Sequence, residues 1–269
     1  MKKILCALLV VLLAGTACAE TVGVLSKLNM SPQAFQAFLI ERYSQRVRKA
    51  AKDFKQDISC SYYVSMSEML MALNAGRIDT MLLPECVADY VLREYPNTES
   101  QGVVDANGLM GLTMGFRDDS KELRDKVNAV LGKMSKDGNS SILTRRYITG
   151  SEAVNPKPVK FDTFEDAPTL NVAVTGDLPP VDYVDAGGEA AGFNTALLAE
   201  LGRRLQMNIT MIQVEAGARA SALISGRVDC VFWFALNPGK GQQWDIPDGI
   251  IVTAPYFSWK TDYFIGLKK

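Results

Sequence analysis

Short apolar runs alternate with amphipathic stretches along the chain. Val22-Gly23-Val24 and Val172-Ala173-Val174 each read as a strand that gives way to polar residues. After Ser31 and Pro32, which suit an N-cap and a first helical position, Phe35, Phe38, Leu39, Tyr43 and Val47 recur at three- and four-residue spacing. That stripe predicts a helix. Residues 58–64 predict a strand, and Ser65 with Glu68 forms a capping box before a helix over 69–75. In the second half, Leu197, Leu198, Leu201 and Leu205 stripe a helix after Asn194, followed by a strand over 209–214 and a helix over 218–225. Between the halves lie a strand over 108–116 and helices over 121–135 and 140–147, and residues 263–267 form a last strand candidate. Strands alternating with helices imply parallel sheets with right-handed crossovers, so the fold class is α/β.

The plan repeats. Ala72-Leu73-Asn74-Ala75-Gly76-Arg77-Ile78-Asp79 parallels Ala222-Leu223-Ile224-Ser225-Gly226-Arg227-Val228-Asp229, with Gly76 and Gly226 standing 150 residues apart, as do Val22 and Val172. Each motif is a helix end with glycine at the C-cap, then a turn, then a strand at 80–83 or 230–234. Asp79 and Asp229 are read as closing those turns. Two matches at one offset predict two lobes of similar β-α-β-α-β design. Residues 151–168, with Pro156, Pro158 and Pro168, read as a linker.

Composition narrows the function. The 269 residues carry net charge −1 and contain no histidine. This excludes a Ser-His-Asp triad and His-ligated zinc, and no cofactor motif is found. A near-neutral chain lacks the basic face that nucleic acid calls for. Lys2 and Lys3, an apolar run over 4–14 and Ala17-Cys18-Ala19 predict a signal peptide over 1–19, hence export to the periplasm. A lipoprotein anchor on Cys18 is the rival, disfavoured by Gly15 where a leucine is usual. Removing the leader leaves net charge −3. Cys60, Cys86 and Cys230 remain; they are read as buried small hydrophobes, with a Cys60–Cys86 bridge as the alternative.

On these residues the chain resembles the bacterial family-3 extracellular solute-binding proteins, the amino-acid-type binding components of ABC importers. The first-lobe pattern is carried by Gly176-Asp177-Leu178-Pro179-Pro180, Gly192-Phe193-Asn194, Gly226-Arg227-Val228-Asp229 and Ala254-Pro255-Tyr256. The second-lobe pattern is carried by Thr21-Val22-Gly23-Val24, Gly76-Arg77-Ile78-Asp79 and Gly111-Leu112-Thr113-Met114-Gly115-Phe116. The resemblance implies a two-lobed periplasmic-binding-protein type II (Venus flytrap) fold, each lobe a mostly parallel sheet flanked by helices. The lobe order is reversed, which reads as a circular permutation; a tandem array pairing each half with another neighbour is the alternative. The expected lobes are 20–118 plus 257–269, and 119–256 including the linker, with crossings near 117–121 and 253–257.

Ligands of open α/β sheets bind beyond the carboxyl ends of the strands. Those ends, with the resemblance, single out Asp177, Tyr183, Trp233, Lys240, Ser26, Ser67 and Glu85 as ligand-binding residues. Lys240 and Glu85 are the nearest counterparts of the family's arginine and acidic residue, and Trp233 is either a stacking platform or a core filler. Helix N-termini at Ser31, Ser65 and Asn194 are expected to offer backbone donors to an anion. The expected function is binding a small polar or amino-acid-like solute, as a monomer, for a membrane permease of an ABC transporter. A sensory or scaffold module with a decayed pocket is a second reading. A dehydratase or lyase using a carboxylate such as Glu85 or Glu215 is a third.

Overall fold

The structure, a computed structural model, describes residues 20–25, 33, 36–37, 58–105, 110–185, 187–236 and 246–268. The helix expected after Ser31 and the leader over 1–19 fall outside these residues, apart from helical positions at 33, 36 and 37. In chain order the first elements are strands β1 (Glu20–Leu25) and β2 (Ile58–Tyr63), helix α1 (Met66–Asn74), β3 (Thr80–Pro84), α2 (Glu85–Glu94), β4 (Thr98–Asp105) and β5 (Met110–Arg117). Helices α3 (Lys121–Lys136) and α4 (Asn139–Thr144) come next, then β6 (Thr169–Val174), β7 (Asp177–Leu178), β8 (Asp182–Val184) and β9 (Ala190–Ala191). The chain closes with α5 (Gly192–Leu205), β10 (Asn208–Gln213), α6 (Arg219–Ile224), β11 (Cys230–Leu236), β12 (Ile250–Val252), β13 (Phe257–Ser258) and β14 (Thr261–Leu267).

Two large sheets result. Sheet A runs β2-β1-β3-β14-β4 and sheet B runs β10-β6-β11-β5-β12, with β13 also on β5; β7-β8-β9 form a small third sheet. In each large sheet the first three strands are parallel and the fourth is antiparallel to its neighbours. This is the expected mixed α/β architecture of two lobes.

The offset of 150 is structural. Val22 pairs with Thr80 and Gly23 with Met81; Val172 pairs with Cys230 and Ala173 with Val231. Ile265 lies opposite Met81, and Gly115 opposite Val231. The strands β14 and β5 are therefore equivalent, yet each sits in the sheet built by the other half of the chain.

That exchange corrects the expected boundaries. Residues 110–117 were assigned to the first lobe, but β5 pairs with β11 over seven positions, so the chain has changed sheets by Met110. Residues 257–258 still pair with β5, and sheet A is regained only at Thr261. The physical reason is ladder satisfaction: β5 supplies the backbone partners that the open side of β11 needs.

Each turn of the repeat is closed the same way. Gly76 and Gly226 have φ of +65° and +74°, which glycine adopts without Cβ strain. Their N–H groups donate to Leu73 and Leu223 carbonyls at 3.0 Å. Asp79 accepts from Thr21 N–H, and Asp229 from Asn171 N–H, both at 2.8 Å. Both aspartates therefore lock a turn to the neighbouring strand, as the sequence suggested.

The cores follow the stripes. Met69, Leu70 and Leu73 of α1 face sheet A, while Leu197, Leu198 and Leu201 of α5 with Val127, Leu131 and Met134 of α3 cover sheet B. Phe193 stacks near Tyr256 and Phe257, at ring distances of 6.2 and 5.4 Å, joining the sheet-B lobe to the crossing segment. Helix α2 has no counterpart in the sequence reading. It starts directly after β3 without a turn signal, and buries Cys86, Val87, Ala88, Tyr90 and Val91. All three cysteines are free, with Cys86 and Cys230 buried and Cys60 half-buried, so no Cys60–Cys86 bridge forms. Among the described residues no helix is long and apolar enough to cross a membrane.

Candidate functional site

The carboxyl ends of β2 and β10 face one another across a cleft of about 560 Å³. Val64 and Ser65 line it from one lobe, and Val214 and Glu215 from the other. These are equivalent positions at the same offset of 150. Thr175 and Asp177, which follow β6, and Gln213, Ala218 and Arg227 complete the wall.

Each wall residue is fixed by local structure. Ser65 caps α1, its Oγ accepting from Glu68 N–H at 3.1 Å. Asp182 is 6% exposed and accepts from both Thr175 N–H and Thr175 Oγ at 2.9 Å, holding the turn that presents Asp177. Behind that turn Arg219 opens α6, 5% exposed, and its Nη1 donates to the Phe232 carbonyl at 3.0 Å. Burial pulls its pKa down to about 10, against the pull of Asp182 and Asp177. Deeper, buried Tyr256 donates from its hydroxyl to Asn194 Oδ1 at 2.8 Å, and burial pushes its phenol pKa well up.

The structure brings Asp177 to the cleft wall. It places the other candidates elsewhere. Ser67 is exposed on the first turn of α1; the wall residue is Ser65, whose side chain the capping bond holds back toward the helix. Glu85 is half-buried at the start of α2, near Tyr263 on β14. Tyr183 pairs with Asp177 between β8 and β7 but stands beside Tyr90 and Tyr95, adding to the upward shift that burial gives both phenols. Trp233 occupies β11 opposite Thr113. Of its neighbours, Phe232 is core, 6% exposed and edge-on to Tyr256 at 6.1 Å. Ser26 and Lys240 lie outside the described residues.

The expected anion donors are also revised. At the start of α5, Phe193 N–H and Asn194 N–H already donate to the Pro180 and Val181 carbonyls, at 3.0 and 2.8 Å. At α1, Ser65 occupies Glu68 N–H. Ser31 lies outside the described residues. Two residues of the site escaped the candidate list. Glu215 was reachable through its offset from Ser65. Arg219 had no sequence signal, since nothing in the chain marks it as buried.

Among solved structures the fold is similar to three binding proteins. The first is a ligand-binding component of an ABC-type import system from Staphylococcus aureus with zinc bound, at 10% identity, TM-score 0.45, covering 93% of this chain and 66% of that one. The second is the periplasmic aliphatic sulphonate binding protein SsuA from Escherichia coli, at 12% identity, TM-score 0.41, covering 93% and 65%. The third is the methionine binding protein MetQ, at 12% identity, TM-score 0.42, covering 93% and 83%. The chain thus spans under two thirds of the length of the first two. No curated protein matches the sequence. Residues 170–260, which run from β6 through the aromatic crossing segment, match the model of the bacterial extracellular solute-binding proteins, family 3.

Proposed function

We propose that the protein binds a small polar solute between its two lobes and delivers it to the permease of an ABC importer. The observation that carries this reading is the cleft itself, built at the carboxyl ends of two sheets by equivalent residues of the two repeats. The match of residues 170–260 to a solute-binding family supports it. On this reading the lobes close by a hinge at the two crossings, and solute favours the closed state. The exported, monomeric, non-catalytic protein is part of the same proposal, as is its circular permutation. The equivalence of β5 and β14 fits two half-chains joined in either order.

The test is a thermal-shift screen of the purified protein against a broad panel of small metabolites, paired with native mass spectrometry of the fresh preparation. A saturable rise in Tm with one solute class is expected. No shift across the panel, with no co-purified mass adduct, would sink the reading, and turnover of a panel member would replace it with the dehydratase or lyase alternative.

A further inference from the structure

The cleft has a chemical bias. Its described wall carries two carboxylates, Asp177 and exposed Glu215, one from each side of the β10 end. Asp182 adds a third directly beneath the Thr175 turn. Against these stands Arg219, which is buried with its Nη1 committed to the Phe232 carbonyl. Arg227 is the one cation on the described wall, and it is exposed in the turn before β11. The helix amides that would hold a carboxylate are occupied at the start of α5, by the Pro180 and Val181 carbonyls. The neutral groups, Ser65, Thr175 and Gln213, supply hydrogen bonds of either sense.

From this we infer that the cleft takes a small organic cation, an amine or guanidinium compound that carries no carboxylate, with Asp177 and Glu215 as its charge partners. A low-dielectric cleft between two lobes strengthens such pairing, and closing the lobes removes the competing water. A carboxylate on the same molecule would meet Glu215 and Asp177 without a donor cradle to compensate. The apolar Val64 and Val214 walls suit the methylene stem of such a compound.

The inference rests on the solute-binding reading, and the experiment separates the two. Agmatine and putrescine, arginine and glutamate, and a neutral sugar are titrated into the full-length protein while Tm is read. Agmatine or putrescine is expected to raise Tm by several degrees, saturably and less at high salt, while arginine, glutamate and the sugar do not. Affinity for the amine is expected to fall at least tenfold in Glu215→Gln and in Asp177→Asn. Should Asp177→Asn fail to fold, the exposed Glu215→Gln decides alone. A shift with glutamate, arginine or the sugar but none with the amines overturns the inference and leaves solute binding standing. Amine binding that Glu215→Gln leaves unchanged also overturns it. No shift with any solute, and no adduct by native mass spectrometry, removes both.

Discussion

The two repeats agree where they hold the fold and differ where they face the cleft. At one end, Gly76 to Asp79 and Gly226 to Asp229 make the same glycine turn and the same aspartate lock. At the other end, Ser65 caps a helix directly, while Glu215 leads into a short 3-10 turn, Ala216–Ala218, before Arg219 starts α6. Turn geometry tolerates few residues, so the closing ends stay alike. The cleft ends carry charge and capping groups that the ladder does not dictate, so they are free to diverge.

Mutations at equivalent positions break or sharpen this comparison. The largest effect belongs to the core. Leu73 and Leu223 are 2% and 0% exposed, and Leu→Ala at either should cost about 2–5 kcal/mol in urea unfolding. Costs that differ by more than this spread would mean the repeats are not equally built.

Alkaline titration comes next. Burial raises Cys86 and Tyr90 to about 12 in the sheet-A lobe, and pushes Cys230 and Tyr256 well up in the sheet-B lobe. Each group stays neutral in the folded chain at a pH where the unfolded chain loses the proton. The stability they contribute is whole below about pH 9 and is lost as pH rises toward about 12. Arg219 runs the other way, because its folded pKa is lowered, so its penalty eases between about 10 and 12.5. Four groups outweigh one. Unfolding free energy should therefore decline over this window, and Cys86→Ala and Cys230→Ala should each flatten part of it. A flat curve in the wild type would contradict the burial assigned to both lobes.

The aspartate locks give a smaller and unequal pair. Asp229 is partly buried and accepts from both Asn171 N–H and Asn171 Nδ2, whereas the Asp79 bond to Thr21 N–H is exposed. Asp229→Ala should cost about 2 kcal/mol and Asp79→Ala about 1 kcal/mol in stability. The reverse order would show that exposure does not set their worth. The smallest pair lies at the cleft: Ser65→Ala should lose about 1 kcal/mol of capping, and Glu215→Ala under about 0.5 kcal/mol. Thermal melts check both, and an equal loss would deny that the two ends have diverged.

The sequence made the repeat legible because its marks are backbone chemistry. Glycine at a positive-φ turn and aspartate beside it leave a signature that survives in one chain. Leucine stripes placed α5, and the Ser65–Glu68 pair placed the start of α1. Strand exchange was not legible, because residues 110–117 look the same whichever sheet they join, and only pairing with β11 decides. Helix α2 was hidden for a related reason: Pro84 ends β3 and serves as its N-cap without a turn between them. In the site, Asp177 was found because it follows a strand. Ser67 missed by two residues because helix phase, unlike strand end, cannot be fixed from the capping motif alone. Arg219 was missed because burial of a charge depends on Phe232 and Asp182, which the fold brings to it.

The central claim is that solute occupies the cleft between the two lobes. Val64 lines that cleft and is 48% exposed, so Val64→Trp fills the space without entering a core. Binding of the most stabilising solute is measured by calorimetry in the wild type and in this variant, with Tm recorded in the absence of solute. The predicted result is a loss of binding of at least tenfold while the solute-free Tm stays within about 2 °C, as expected of a surface change. Undiminished binding in Val64→Trp would place the solute elsewhere and contradict the claim.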